Sequence, residues 1–253
     1  MASKRGGWIP QQHGAWAMLV VPYLAGLVMA RDARPLDVGD ATLGLTWLVG
    51  YFAYNAATLT LRAPARRRGR YLPALVVYGA AATVLGLATL AVKGWGLLAW
   101  APVYLVLVGW ALWLAASKRE RSLLSGVLTV VASCGLMAVL QPWALDDPTR
   151  WRDVPMMLLI TAYFVGTVLH VKALIRERND PQSTQRSQAY HAAVSLVAFA
   201  AWGAGWLGWW WLPWAAALVV RSFWMPRAPR RPAQIGVVEI LLSAWALTLT
   251  LLG

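Results

Sequence analysis

The chain has few of the residues on which most catalytic and metal chemistry is built. It has one cysteine, Cys134, in the middle of an apolar run. That excludes a disulfide within the chain and any cysteine-based metal site, and leaves a small buried thiol as the reading. Acidic residues number ten against 23 Lys and Arg, and no Asp occurs between Ala41 and Arg70. Hard Mg²⁺ needs oxygen ligands and usually a carboxylate or two, so a divalent-cation site is not expected. The three histidines, His13, His170 and His191, could hold a transition metal or haem in principle, but without H-x-x-x-H or C-x-x-C-H spacing that signal is weak. Nucleophile elbow, Gly-rich phosphate loop and Ser-His-Asp pattern are all missing. No cofactor is expected. Charged residues are only 13% of the chain, about half the usual content of a soluble protein.

Apolar sequence fills that space, at 59%. Nine runs can be read, at about 15–30, 41–61, 71–92, 96–116, 122–145, 154–175, 187–206, 208–225 and 235–252. Most match the ~20 residues needed to cross ~30 Å of hydrocarbon. They leave no room for a soluble domain, so residues 1–253 are expected to form one all-α, polytopic membrane bundle of about nine transmembrane helices. Gln11, Gln12 and His13 separate Lys4 and Arg5 from the first run, and Pro22 interrupts it. An uncleaved first span is therefore expected rather than a secretory signal. Residues 187–225 would span ~58 Å as a single helix, so a tight hairpin near Gly208 and Pro213 is expected to divide them. Gly203-Ala204-Gly205 reads as a small-residue packing segment.

With the N-terminus in the cytosol, the inner segments are Lys4–Arg5, Arg62–Arg70, Lys118–Arg121, Lys172–Arg186 and Arg227–Arg231. They hold 17 basic residues, the outer segments hold five, and Arg221 lies within a run. Basic loops resist translocation, so this partition predicts an N-in/C-out membrane protein. The net charge of +13 is assigned to topology and anionic lipid rather than to nucleic acid. Seventeen tryptophans are present. Trp95, Trp100, Trp143, Trp151, Trp206, Trp209, Trp210, Trp211 and Trp214 fall at or near outer run ends, as in an interfacial aromatic belt.

The polar residues that membrane burial does not explain gather at one level. Tyr51, Asn55, Thr58 and Arg62 are spaced i, i+4, i+7 and i+11 on the second run. Tyr163, Thr167, His170 and Glu177 are spaced i, i+4, i+7 and i+14 on the sixth. Each set forms one helical face. With His13, Arg121 and His191 they predict a shared cytosol-facing pocket, because polar groups in hydrocarbon normally face a bundle interior or wet cavity. The surrounding arginines suit phosphate or carboxylate. Arg221 and Glu239 stand one turn inside the last two runs, where pairing and separate snorkelling remain equal alternatives.

Trp8-Ile9-Pro10-Gln11-Gln12-His13-Gly14-Ala15-Trp16 resembles the opening of the YwiC-like family of bacterial membrane proteins. So do Leu61-Arg62-Ala63-Pro64 to Arg70-Tyr71-Leu72-Pro73, Arg119-Glu120-Arg121-Ser122-Leu123-Leu124 and Val171-Lys172 to Arg176-Glu177-Arg178. The likeness covers nearly the whole chain and implies a multi-pass fold without specifying a reaction. A looser resemblance of layout is to the UbiA superfamily of intramembrane prenyltransferases, in which aspartate motifs on helices two and six hold Mg²⁺ on a prenyl diphosphate. Asn55 stands where that helix-two motif begins, and the basic loop follows it. Ala56 and Leu59 occupy the nearby positions, and helix six ends in His170, Lys172, Arg176 and Glu177. The resemblance implies the scaffold and departs from the magnesium chemistry.

Three functions are compatible with these features. The first is binding or moving an anionic small molecule or lipid phosphate within the bilayer. The second is a divergent, metal-independent transferase with His13 or His170 as acid/base. The third is an accessory subunit that docks a partner protein, whose identity the sequence leaves open.

Overall fold

A computed structural model describes residues 7–10, 15–143 and 151–252. Among the described residues the chain is helical, without strands. In order the helices are α1 (Ala15–Ala33), α2 (Val38–Arg62), α3 (Ala65–Arg68), α4 (Leu72–Lys93), α5 (Ala101–Ala116), α6 (Leu123–Val139), α7 (Val154–Ile175), α8 (Pro181–Gly203), α9 (Trp211–Trp224) and α10 (Pro232–Leu249). A 3₁₀ segment, Trp95–Trp100, leads into α5, and another, Met225–Arg227, follows α9. Apart from the four-residue α3, each helix overlies one of the nine apolar runs. Among the described residues five segments are long and apolar enough to cross a membrane: Trp16–Ala33, Leu72–Lys93, Trp95–Ala116, Val154–Ile175 and Pro232–Leu249. Tyr51, Tyr54 and Asn55 dilute the apolar character of α2, the first half of α8 is polar, and α9 has only 14 residues.

The chain forms two compact units, residues 1–13 with 35–132, and residues 14–34 with 133–253. In the first, α2 packs along α4 and against α5. Asp37 caps α2 by accepting the Asp40 amide at 3.1 Å, while Asp40 accepts the Asp37 amide at 2.9 Å. This reciprocal arrangement satisfies donors that a helix start leaves open. Lys93, the last residue of α4, reaches the buried Asp40 at 2.5 Å and Asp37 at 3.5 Å. Gly94 ends α4 at φ +88°, which a side chain would oppose. Farther along the pair, the Thr46 and Thr89 hydroxyls meet at 2.9 Å. Ala111, Leu114 and Leu128, with Tyr54 and Leu107 against them, make an apolar cluster.

In the second unit α8 packs between α7 and α9, and α10 contacts α1, α7 and α9. Gly26 of α1 lies so close to the end of α6 that a Cβ there would stand 2.9 Å from the Met137 Cα. Gln141 fastens the approach by donating to the Gly26 and Met137 carbonyls, both at 3.2 Å.

The expected break in 187–225 falls at residues 204–210, between α8 and α9. Gly203-Ala204-Gly205 is not the packing segment expected from its small residues. The Gly205 amide bonds the Trp202 carbonyl, the Trp206 amide bonds the Ala201 carbonyl, and Gly205 takes φ +75°. That is a Schellman ending, for which glycine is the favoured residue. Two predicted belt tryptophans also move. Trp211 and Trp214 are fully buried, and Trp214 Nε1 donates to the Leu242 carbonyl at 3.0 Å. They face the interior because α9 turns that side toward α7 and α10, whereas Trp95, Trp151, Trp206, Trp209 and Trp210 are exposed.

Gly26→Ala is expected to lower the melting temperature of the purified protein, because the Met137 backbone cannot move aside cheaply. Gly50→Ala on α2, where a Cβ meets nothing within 4 Å, is expected to leave it unchanged or raise it. Equal melting temperatures for both variants in a thermal unfolding assay would contradict the close α1 packing.

Candidate functional site: a buried polar network in α7–α10

The helical spacing of Tyr163, Thr167 and His170 puts three polar groups on one face of α7, and all three are buried. His191 is buried on α8, Arg221 on α9 and Glu239 on α10. Arg221 is only 3% exposed and Glu239 only 6%. A lone guanidinium or carboxylate at that burial carries a desolvation penalty of several kcal/mol. The two cancel it together: Arg221 Nη1 donates to Glu239 Oε2. The structure thus selects pairing over snorkelling for these residues.

The pair is the centre of a chain of hydrogen bonds through four helices. Thr167 Oγ1 donates to Glu239 Oε2 at 2.9 Å. The Tyr163 hydroxyl lies 3.1 Å from the Glu239 carbonyl and 2.9 Å from Ser243 Oγ. On the other side, Arg221 Nη2 lies 2.5 Å from His191 Nε2. A guanidinium only donates, so this Nε2 accepts. His191 Nδ1 lies 2.7 Å from the Ser187 carbonyl, which only accepts, so Nδ1 carries the proton. Together the two bonds define a neutral Nδ1–H imidazole. Ser187 Oγ then meets His170 Nδ1 at 3.1 Å, and the two imidazole rings stand 5.6 Å apart, edge to face.

Gly166 makes this approach possible. A Cβ there would stand 2.9 Å from His191 Nε2 and 3.0 Å from the Tyr190 ring. Three buried atoms of the network lack a hydrogen-bond partner: His170 Nε2, Arg221 Nε and Glu239 Oε1. Each such omission typically costs ~1–3 kcal/mol unless a guest supplies the bond. Nε and Nη2 form one edge of a guanidinium, the edge that forks around a carboxylate or phosphate. Here half of that edge is given to His191 and half is open.

The other residues anticipated from the sequence take different places. In the first unit, Tyr51, Asn55, Thr58 and Arg62 share α2, as their spacing requires. Asn55 Nδ2 reaches the Gly7 carbonyl at 3.5 Å, and Tyr78 donates to the Trp8 carbonyl at 2.8 Å, so Gly7 and Trp8 lie against α2 and α4. Tyr51 packs beside Phe52, ring centroids 6.3 Å apart. Arg62 Nη2 is 2.9 Å from Glu120 Oε1, and the exposed Arg121 lies 3.7 Å from the same oxygen. In the second unit, Thr167, His170 and His191 belong to the network, but Glu177 does not extend the α7 face. The helix ends at Ile175, and the amides of Arg176 and Glu177 both bond the Lys172 carbonyl. Glu177 instead meets Lys172 Nζ at 2.5 Å and Ser183 Oγ at 2.6 Å. Those hydrogen bonds, from Lys172 first and then Ser183, hold its carboxyl below the usual carboxylate range. His13 lies outside the described residues.

Arg221 and Glu239 were legible as a possible pair but not as the centre of a site. Ser187 carried one weak signal, its place one turn before His191. Among the described residues no group of three or more His, Cys, Asp or Glu is placed to hold a metal ion.

Glu239→Gln or Arg221→Met alone is expected to destabilise the protein by about 3–5 kcal/mol, since each leaves an uncompensated buried charge. The double variant is expected to recover most of that loss in a denaturation cycle. Additive losses would show that the two side chains do not act as a pair.

A family model described as YwiC-like protein matches residues 9–141. The uncharacterized protein YwiC of Bacillus subtilis (strain 168) is 31% identical over 209 residues, 78% of this chain and 79% of its own length. An uncharacterized protein of Haemophilus influenzae (strain ATCC 51907 / DSM 11121 / KW20 / Rd) is 24% identical over 245 residues, covering 93% and 94% of the two chains. No solved structure matches.

Proposed function

The chain belongs to the YwiC-like protein family, and from that premise we propose a multi-pass protein of the bacterial cytoplasmic membrane that binds or moves an anionic ligand. The nine long helices are its crossings, N-in and C-out, with α8 and α9 joined by an outer turn. The ligand presents carboxylate or phosphate oxygens, on either a small molecule or a lipid headgroup. The observation that carries this reading is Arg221: a deeply buried guanidinium whose forking edge is half open, beside a second unpartnered nitrogen on His170. Replacing a buried ion pair by apolar residues is often neutral or stabilising, so such a pair is poorly explained by stability. Ionisable groups at membrane depth are functional by default.

The basic loops of each unit, taken separately, support the same reading. In the first unit Glu120 is engaged by Arg62 and Arg121, while Arg66, Arg67 and Arg68 project from α3 as exposed cations. In the second, Glu177 is taken up by Lys172. Within each unit, such a surplus of positive charge raises the local concentration of anions.

The binding test uses protein in phosphatidylcholine nanodiscs. Acetate, dimethyl phosphate or added phosphatidylglycerol is expected to raise its melting temperature, and Arg221→Lys is expected to abolish the rise. Lysine keeps the charge opposite Glu239 but lacks the planar fork. No stabilisation by any of the three would refute anion binding, and an unchanged rise in Arg221→Lys would move the site elsewhere. For topology, a C-terminal alkaline phosphatase fusion is expected to be active in intact cells. An inactive fusion would contradict the C-out arrangement.

A further inference from the structure

Given anion binding at Arg221, the reading on which this inference rests, charge balance dictates what else must enter the site. The network as it stands is neutral. Arg221 contributes one positive charge, Glu239 one negative, and His191 is the neutral Nδ1–H tautomer defined by its two bonds. An anion on the open Nε/Nη2 edge adds one negative charge at a position where neither Arg221 nor Glu239 is more than 6% exposed. Leaving that charge unbalanced carries a large desolvation cost.

The same event changes His191. Its Nε2 accepts from Arg221 Nη2 at 2.5 Å. When an incoming oxygen takes that donor, Nε2 becomes a buried lone pair facing an anion. A proton on Nε2 removes both problems, because it turns an acceptor into a donor aimed at the anion and restores neutrality. Nδ1–H remains on the Ser187 carbonyl, so no tautomer shift is needed.

The other titratable groups around His191 do not serve as well. Glu239 Oε1 has no partner, but Oε2 keeps two donors, Arg221 Nη1 and Thr167, that favour the ionised carboxylate. Tyr163 on α7 is turned to the Glu239 carbonyl and Ser243, and Tyr190 on α8 donates to the Ala162 carbonyl at 3.0 Å. His170 on α7 lies next to His191 but bonds Ser187 rather than Arg221. The backbone of α7 closes in at Gly166, which confines the His191 ring.

We propose that the Arg221 site takes up one monovalent oxyanion together with one proton, and that His191 Nε2 is where the proton resides. The loaded site then holds Arg221 and His191 as cations and Glu239 and the guest as anions, and is neutral again. Empty, the site refuses the anion alone, because Arg221 is already balanced and His191 presents a lone pair.

The test is calorimetric titration of the full chain in phosphatidylcholine nanodiscs. Acetate represents a small carboxylate and dimethyl phosphate a lipid phosphodiester, and neither changes protonation between about pH 6 and 8. Repeating each titration in buffers of different ionisation enthalpy counts protons. The expected result is close to one proton taken up per anion, and affinity that rises about tenfold for each unit the pH falls. Whichever probe binds identifies the source of the oxygens.

His191→Gln keeps an acceptor for Arg221 but cannot be protonated, and is expected to bind weakly without pH dependence or proton uptake. Tyr190→Phe, which removes only a hydroxyl held by the Ala162 carbonyl, is expected to keep both. Anion binding without proton uptake in the unaltered protein overturns this inference and leaves the anion-binding reading standing. Uptake that persists in His191→Gln, or disappears in Tyr190→Phe alone, overturns the assignment to His191. Absence of binding by either probe throughout the pH range overturns the underlying reading itself.

Discussion

The second unit is organised by one buried charge pair, Arg221 with Glu239. An arginine and a glutamate, each on its own apolar helix, can enter a low-dielectric interior only if they meet. Their meeting brings α9 and α10 together, and the groups around them draw in α7 and α8. Thr167 supplies a hydroxyl to the carboxylate, Tyr163 lies against the Glu239 backbone, and His191 takes the second guanidinium nitrogen. Tyr163, Thr167, His191 and Ser243 are placed around that pair, whereas Ser183 bonds Glu177 and Ser222 the Val219 carbonyl of its own helix. The bonds left over, on Arg221, His170 and Glu239, are the part of the network that its own residues do not complete.

The first unit handles charge differently. Its ion pairs stand at the ends of α2 rather than within its middle. Lys93 binds Asp40 at the start of that helix, and Arg62 at its end binds Glu120. The α2–α4 interface between these ends contains the Thr46–Thr89 contact. End pairing of this kind anchors helices against sliding, and long basic side chains near helix ends keep their charged heads toward water. It explains why a polar face spaced as neatly as Tyr51, Asn55, Thr58 and Arg62 carries less strained chemistry than the α7 face. Two of the α2 side chains, Asn55 and Arg62, have nearby partners in the opening segment and the α5–α6 turn.

A histidine between an arginine and a backbone carbonyl has its protonation written by geometry. One neighbour can only donate and the other can only accept, so the ring has one tautomer available while both bonds last. Gly166 fits the same picture, since a methyl group there would press on the nitrogen that Arg221 approaches. The close spacing of α7 and α8 and the state of His191 are thus two aspects of one contact.

Much of the architecture was legible in the sequence, because apolar run length and the 3.6-residue period act locally. Among the described residues each of the nine runs overlies a helix, five of them long and apolar enough to cross a membrane, the break between α8 and α9 falls in the expected stretch, and Thr167 and His170 share a buried face as their spacing requires. Other assignments failed where a local ending or a rotation decides. Glu177 has the period of the α7 face, yet the helix stops at Ile175 and Lys172 captures the carboxylate. Trp211 and Trp214 have the composition of an interfacial belt but face inward. The sequence alone determined which segments are helical and which residues line up along each. Only the tertiary structure decided that Arg221 meets Glu239 and His191, because that choice depends on how separate helices are rotated and how closely they approach, and no one-dimensional spacing encodes either.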